Sequence, residues 1–179
     1  MRIVGGKYRG RVLCSFKGEE IRPTADKVRE SLFNILNTEI VGSRFLDLFC
    51  GTGAVGIEAL SRGAGFVALN DLSRESLSVA QKNLDLIGKP INVKVYNLNA
   101  FTLLEKAAEP FDIIFIDPPY KGGLNESAVE KCQSVLAPFG TVVLESEFTE
   151  KDEIGVFKKF KEKKYGRTYL TFYKREGEL

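Results

Sequence analysis

The chain has 179 residues, with 26 Lys and Arg against 24 Asp and Glu, three Cys and no His. This length is typical of a single domain, and no apolar stretch approaches the roughly 20 residues of a transmembrane helix. Because His is absent, Ser-His-Asp and Cys-His catalytic groups, His-ligated zinc and an imidazole base are excluded. The three Cys form no Cys-x-x-Cys motif, which favours a reducing, cytoplasmic setting.

The charges are distributed unevenly along the chain. Residues 1–45 carry nine basic and five acidic side chains, a net charge of +4, and residues 151–179 carry the same numbers. Residues 46–150 carry eight basic and fourteen acidic side chains, a net charge of −6. Ordinary solvated faces are the simpler interpretation, but two basic ends folded to one side would form a cationic patch for a polyanion.

The first 40 residues predict a small N-terminal extension. Residues 3–4 and 12–13 predict two short strands around a turn rich in Gly and basic residues. Apolar residues then recur at helical spacing, which predicts an amphipathic helix over residues 25–37.

From residue 41 onwards, strands and helices alternate. The predicted strands are residues 45–50, 66–70, 91–96, 111–116 and 141–145, and the predicted helices are residues 54–61, 73–87, 101–106 and 125–136. Residues 156–163 and 169–173 predict a terminal hairpin. This alternation predicts an open, mostly parallel α/β sheet with helices on both faces, so that residues 41–179 form the core of one domain.

A glycine loop joins the first predicted strand to its helix. Gly51, Gly53 and Gly56 match G-x-G-x-x-G, and Asp71 follows the second strand, where a carboxylate can bind a ribose diol. Three interpretations compete: a turn without a ligand, an NAD site, and an S-adenosylmethionine (AdoMet) site. Asp47 favours AdoMet, because a carboxylate there would repel a pyrophosphate but would attract a positively charged amino acid end.

The sequence Asp117-Pro118-Pro119-Tyr120 follows the fourth predicted strand. A proline-rich turn that ends the strand is the simpler interpretation. Because ligands of open α/β sheets bind at the carboxyl ends of strands, this sequence and the glycine loop are expected to converge. The Asp117 carboxylate and the Pro118 carbonyl can accept the two N–H groups of an exocyclic amino group, and Tyr120 can stack on the base. Such a reaction requires no histidine.

These motifs resemble class I AdoMet-dependent methyltransferases that modify exocyclic amino groups. Together with residues 2–11 and Arg22-Pro23-Thr24, they are similar to the bacterial 16S ribosomal RNA guanine-N2 methyltransferase family over nearly the whole chain. The resemblance implies a Rossmann-like sheet of seven strands, the last one antiparallel. It also implies AdoMet as cofactor and methylation of the 2-amino group of one guanine within a small ribosomal subunit or its precursor.

The resemblance also assigns roles to individual residues. It assigns AdoMet binding to Asp47, Phe49, Cys50, Gly51, Thr52, Gly53, Asp71, Leu72, Asn99 and Ala100. It assigns catalysis to Asp117, Pro118, Pro119 and Tyr120, and RNA binding to Lys7, Arg9, Arg11, Arg22, Thr24 and Arg29. The family usually has Glu at the ribose position, so Asp71 is a departure, and Asn99 falls at the adenine edge. We expect a cytoplasmic monomer that binds no metal and no membrane.

Three alternatives remain open at this point. An adenine-N6 methyltransferase of DNA or RNA would use the same Asp-Pro-Pro-Tyr motif, although the chain has no room for a separate DNA-recognition insertion. An NAD-dependent dehydrogenase would bind NAD and not AdoMet. A non-catalytic RNA-binding module would be insensitive to the replacement of Asp117. We also expect both basic ends to lie on the same face as Asp117.

Overall fold

A computed structural model describes residues 1–16, 23–119 and 123–179, and the side chains of residues 23–25 are not described. The predicted site residues Arg22 and Tyr120, and the side chain of Thr24, therefore lie outside the described part. The α-helices are α1 (Pro23–Ile35), α2 (Ala54–Ser61), α3 (Arg74–Leu86), α4 (Ala100–Lys106) and α5 (Asn125–Lys131). The strands are β1 (Arg44–Asp47), β2 (Phe66–Asn70), β3 (Val93–Tyr96), β4 (Phe111–Ile116), β5 (Leu136–Ser146), β6 (Glu153–Ile154), β7 (Phe157–Tyr165) and β8 (Thr168–Arg175).

The strands form one sheet in the order β3-β2-β1-β4-β5-β8-β7-β6. Strands β1 to β5 are parallel, and β8 lies antiparallel between β5 and β7. This confirms the prediction of a mostly parallel sheet whose last strand is antiparallel. The described residues contain eight strands where seven were expected, because the two-residue β6 adds an antiparallel edge to β7.

The core lies in two layers on opposite faces of the sheet. Phe45 and Phe115 pack on the face covered by α1, α2 and α3, whereas Leu46 and Ile116 pack on the face covered by α4 and α5. Successive residues of a strand point to opposite faces, so each central strand supplies both layers. None of the helices in the described ranges combines the length and apolar content that crossing a membrane requires.

The N-terminal residues form the predicted antiparallel pair. Arg2 and Val12 are bridged, the Ile3 N–H donates to the Arg11 carbonyl at 3.0 Å, and the Gly10 N–H donates to the Ile3 carbonyl at 2.8 Å. The pair is attached to α2 through Glu58, whose carboxylate accepts the N–H groups of Val4 and Gly5 at 2.8 Å each. The N-terminal extension is therefore fixed to the helix that follows the glycine loop.

Strand β5 differs most from its prediction, since it begins at Leu136 and not at residue 141. Its pairing with β4 shifts register between Phe111 and Ile113, and Phe139 in the shifted segment has a φ of 60°. Pro138-Phe139-Gly140 is a sequence typical of a turn that separates a helix from a strand. The strand instead contains this irregular segment, and α5 ends early, at Lys131.

Candidate active site at the carboxyl edge of the sheet

Four acidic side chains lie at or just beyond the carboxyl ends of four neighbouring strands. Asp47 ends β1, Asp71 follows β2, Asp117 follows β4, and Glu145 is the penultimate residue of β5. These strands are adjacent in the order β2-β1-β4-β5, so parallel pairing brings the four carboxyl groups to one edge of the sheet.

Two cavities open at this edge and together form what we call the cleft. A large cavity of about 780 Å³ is lined by Asp71, Leu72, Asn99 and Ala100, among others. A small cavity of about 260 Å³ is lined by Asp47, Cys50, Gly51 and Thr52, among others. Phe49 and Asp117 line both cavities. Nine of the ten predicted cofactor residues therefore surround the cleft together with Asp117, and the exception is Gly53.

The glycines of the loop have three different environments. Gly51 and Gly53 have positive φ values of 51° and 76°, which favour glycine. A Cβ on Gly51 would meet nothing within 4 Å, whereas one on Gly53 would lie 3.2 Å from the Cβ of Ala80, in α3. A Cβ on Gly56 would lie 2.2 Å from Leu69 Cδ2. Gly51 therefore faces open space in the cleft, while Gly53 and Gly56 allow close packing behind it.

Asp71 is held in place by backbone groups. Its carboxylate accepts the Gly51 N–H at 2.9 Å and the Ser73 N–H at 2.8 Å, one at each oxygen. The Asn97 side-chain amide donates to the Asp71 and Leu72 carbonyls at 2.9 Å each. Each oxygen of Asp71 retains acceptor capacity, so the carboxylate can still bind a ribose diol.

Two asparagines organise the loops around the large cavity. The Asn99 side-chain oxygen accepts the Phe101 N–H at 2.9 Å and caps α4, which leaves the amide nitrogen to recognise an adenine edge. The buried Asn70 donates to the Leu48 carbonyl at 3.0 Å and accepts the Leu98 N–H at 3.3 Å. The loops that follow β1 and β3 are thereby joined through the end of β2.

The carboxyl groups of the small cavity have raised pKa values. Burial raises the pKa of Asp47 to about 7; the Gly56 N–H, which donates to Asp47 at 3.0 Å, opposes this shift, and Asp117 and Asp71 add to it. Burial likewise raises the pKa of Asp117 to about 7. Burial, reinforced by Asp117 and Asp47, raises the pKa of Glu145 to about 8. The cleft therefore favours a ligand that brings positive charge or hydrogen-bond donors.

Cys50 has none of the features of a nucleophile. Its side chain is buried, and burial together with Asp47 and Asp71 raises the pKa of the thiol far above neutrality. The thiol therefore stays protonated, and Cys50 acts as a small apolar wall of the small cavity.

Three of the residues predicted to bind RNA lie on the exposed N-terminal turn. Lys7 and Arg11 stack over the Tyr8 ring, at 5.3 Å and 5.6 Å from its centroid, and Arg9 is exposed. Arg29 was also predicted to bind RNA, but it is only 4% exposed. Its guanidinium pairs with Asp26 at 2.9 Å and with Glu58 at 3.4 Å, so it is not available to a phosphate backbone.

The tip of the C-terminal hairpin lies at the carboxyl edge of the sheet, where the cleft opens. Ser146 at the end of β5 pairs with Tyr169 near the start of β8, so the β7–β8 turn lies beyond the carboxyl end of β5. The Tyr165 hydroxyl hydrogen-bonds Ser31 of α1. We define the hairpin tip as Lys163, Lys164 and Arg167, which are exposed there.

Among the residues that line the small cavity, sequence reasoning missed Glu145 and Phe16. Glu145 could have been found, since it ends the predicted fifth strand and ligands bind at strand ends. Phe16 lines both cavities, and no sequence signal marks it. Pro119 lines the large cavity as predicted, and Pro118 is buried beside it.

Comparisons with known proteins agree with this geometry. The chain matches the family described as "Conserved hypothetical protein 95" over residues 1–174. It is 40% identical over 149 residues to ribosomal RNA small subunit methyltransferase D of Escherichia coli, covering 82% of this chain and 75% of that protein. The protein of the same name from Haemophilus influenzae is 36% identical over 158 residues, covering 86% and 80%. A solved structure named "Putative methyltransferase yhhF from Escherichia coli" superposes with a TM-score of 0.86 at 37% identity, covering 98% and 97%.

Proposed function

The chain belongs to the family that contains ribosomal RNA small subunit methyltransferase D, a family of class I AdoMet-dependent methyltransferases, and on that premise we propose that it methylates the exocyclic 2-amino group of a guanine in 16S rRNA. The observation that carries the proposal is the position of Asp117, which lines both cavities of the cleft. The Asp117 carboxylate thus lies between the part of the cleft that Asp71 and Asn99 line and the part that Asp47 and Gly51 line.

The residues of the cleft fit AdoMet. Gly51 leaves open space, Asp71 offers acceptors for a ribose diol, and Asn99 offers an amide for an adenine edge. Asp47 would face the positively charged amino acid end of AdoMet. This positive charge offsets the cost of burying the Asp47 carboxylate away from water. When bound, AdoMet supplies an electrophilic methyl group on a positively charged sulfur.

Asp117 would act on the amino group of the base. The lone pair of this nitrogen is delocalised into the ring, so it must be oriented and its developing positive charge must be stabilised. The Asp117 carboxylate accepts one N–H, and the Pro118 carbonyl accepts the other. Once nitrogen has formed its new bond to carbon it carries one proton too many, which a carboxylate with a pKa of about 7 can accept.

The RNA would contact basic groups of the N-terminal turn and of the hairpin tip. We propose that residues 1–40 form an RNA-binding extension on the core of residues 41–179, and that Lys7, Arg9, Arg11 and the hairpin tip contact phosphates. Since the names of the relatives specify the small subunit, we propose 16S rRNA in that particle or its precursor as substrate. We further propose that the protein acts as a monomer in the cytoplasm, where these particles are assembled.

The proposal is tested by replacing Asp117. Small subunits from a strain that lacks this protein are incubated with labelled AdoMet and either the wild-type protein or the Asp117→Ala variant. We expect the wild-type protein to label the rRNA and the variant to label it at least roughly 100-fold more slowly. The variant should bind AdoMet and remain folded, as should the control Glu105→Gln, at an exposed position of α4, which should keep full activity. Full activity in Asp117→Ala would refute the role of this carboxylate.

A further inference from the structure

We propose that Glu145 is a specificity-determining residue that accepts the N1–H of the target guanine beside Asp117. This inference rests on the proposed function and extends it from the methylated atom to the choice of base. Glu145 belongs to no motif in the sequence and was not among the predicted site residues.

The sheet places Glu145 next to Asp117. In the β4–β5 ladder, Phe115 pairs with Val143 and Ile116 with Leu144, so Asp117 and Glu145 occupy the next position in register. Neighbouring strands are about 4.8 Å apart, and residues two apart in a strand share a face. The two carboxyl groups therefore stand side by side, and both line the small cavity.

The remaining walls of the small cavity suit a flat, apolar ring. Apart from Asp47 and the glycine loop, which are assigned to the cofactor, the cavity is lined by Phe16, Val28, Leu32 and Phe49, among others, together with the two acids. Arg29 also lines it, but its guanidinium is paired with Asp26 and Glu58. Within the described residues, neither Asp117 nor Glu145 forms a side-chain hydrogen bond or an ion pair, so both carboxyl groups can accept from a ligand. In the same part of the chain, no group of three or more acidic or Cys side chains is placed to hold a metal ion.

Two adjacent acceptors match the donors of guanine and not those of adenine. Guanine carries N1–H and the 2-amino group side by side on its Watson–Crick edge, which a flipped base presents to the protein. With Asp117 on the amino group, the neighbouring Glu145 faces N1–H. The N1 of adenine is itself an acceptor, so a carboxylate in this position would repel it. The positive charge of a bound cofactor favours the carboxylate form of Glu145.

The test compares two bases that both carry the 2-amino group. Once the methylated position is mapped, small subunits are reconstituted with 16S rRNA that has either guanine or 2,6-diaminopurine at that single position. The N1 of 2,6-diaminopurine lacks a hydrogen. We expect the wild-type protein to methylate the guanine roughly 10- to 100-fold faster, as measured by kcat/KM. With 2,6-diaminopurine, the Glu145 carboxylate and N1 are both acceptors and would face each other with no hydrogen between them, which is unfavourable in a buried site.

The variant Glu145→Gln should relax this preference. Its amide can donate to the unprotonated N1 of 2,6-diaminopurine, so the ratio of the two kcat/KM values should fall by about tenfold or more. The control Glu147→Gln, two residues further along and paired with the exposed Arg167 at 3.5 Å, removes the same charge and should leave the ratio unchanged. AdoMet affinity, measured by calorimetry, should be unchanged in Glu147→Gln, and a loss of AdoMet affinity in Glu145→Gln lowers both rates together without changing their ratio.

The outcomes separate this inference from the proposed function. If Glu145 is merely structural, Glu145→Gln lowers both rates together and the ratio stays at the wild-type value, which would overturn the inference while the function stands. If the wild-type protein places no methyl group on the 2-amino group of guanine, the proposed function itself fails, whatever the variant does.

Discussion

Three carboxyl groups in one small cavity define the chemistry of this protein at the scale of single residues. Asp47, Asp117 and Glu145 are carried by adjacent strands, and burial raises the pKa of each. Carboxyl groups with pKa values near neutrality become more fully ionised beside a cation, which suits them to recognise a sulfonium cofactor and an amino-group substrate. We therefore expect these carboxyl groups of the cleft to contribute to the change of the protein's stability with pH.

The raised pKa values predict that the free protein loses stability as the pH rises. These groups bind protons in the folded state up to pH values of about 7 to 8, whereas the unfolded chain releases them near pH 4, so the folded state holds more protons between these limits. We expect the free energy of unfolding in urea to fall from pH 5 to pH 8. Asp117→Asn should flatten part of this slope, and Glu105→Gln should not. A wild-type stability that rises over this range would contradict the assignment.

The two glycines at positions 51 and 56 should respond differently to the same substitution. Gly56→Ala places its Cβ 2.2 Å from Leu69 Cδ2, and we expect destabilisation of about 1–3 kcal/mol from overpacking. Gly51→Ala meets no neighbour but adopts a φ of 51°, so we expect about 1–2 kcal/mol of strain together with a larger loss of AdoMet affinity. Thermal melting and calorimetry measure the two effects. Equal losses of affinity in both variants would show that Gly51 does not face the cofactor.

At the scale of elements, Glu58 joins the N-terminal extension to the helix that follows the glycine loop. It is fully buried in α2, accepts two N–H groups from the N-terminal pair, and pairs with Arg29 of α1 and with Arg62 at 2.8 Å. The helix that begins at the glycine loop thus anchors both elements of the N-terminal extension. The extension is positioned by one buried carboxylate as well as by apolar packing.

Replacing Glu58 should therefore be far more damaging than replacing an exposed glutamate. Glu58→Ala leaves the buried Arg29 without its partner in α2 and leaves two backbone N–H groups unpaired, and we expect a loss of about 3–5 kcal/mol in the free energy of unfolding. Glu105→Gln serves as the control, with an expected change within about 0.5 kcal/mol. A loss below about 1 kcal/mol for Glu58→Ala in urea denaturation would contradict the anchoring role.

The sequence predicted the elements that periodicity and glycines determine locally. Helix α2 and strands β2 and β4 have the predicted bounds, because each is a clear apolar pattern flanked by turn residues. Strand β5 was predicted too short, since local turn signals do not show that a strand continues through an irregular segment. The burial of Arg29 depends on Glu58, a partner distant in the chain, which a single sequence does not show.

At the scale of the whole molecule, the uneven charge has a structural counterpart. The acidic middle segment supplies the carboxyl groups of the cleft, and the basic ends meet at α1, where Ser31 contacts Tyr165 of the C-terminal hairpin. The hairpin tip lies beyond the carboxyl end of β5, the strand that carries Glu145. The hairpin tip thus lies at the same edge of the sheet as Asp117. The N-terminal turn lies at the far end of α2, where the Lys7 N–H donates to the Ser61 carbonyl at 2.7 Å, so the expectation that both basic ends share one face with Asp117 is wrong for this turn.

The basic surface predicts salt-dependent binding of RNA. We expect the affinity for small-subunit rRNA to fall as salt rises, because each phosphate that a basic side chain neutralises releases counterions. The double variant Lys163→Glu with Lys164→Glu should weaken binding and reduce the slope of log affinity against log salt by roughly 0.7–0.9 for each phosphate that is no longer neutralised. The double variant Lys106→Glu with Lys131→Glu, on the side of the sheet that α4 and α5 cover, is the matched control. A slope that both variants share with the wild-type protein would place the RNA elsewhere.

The identity of the methylated base tests the central claim most directly. Small subunits from a strain that lacks this protein are incubated with the wild-type protein and AdoMet labelled in its methyl group, and the rRNA is then digested to nucleosides and analysed by mass spectrometry. We expect the label to appear in N2-methylguanosine, at one position of the 16S rRNA. Label in N6-methyladenosine, or no AdoMet-dependent label at all, would contradict it.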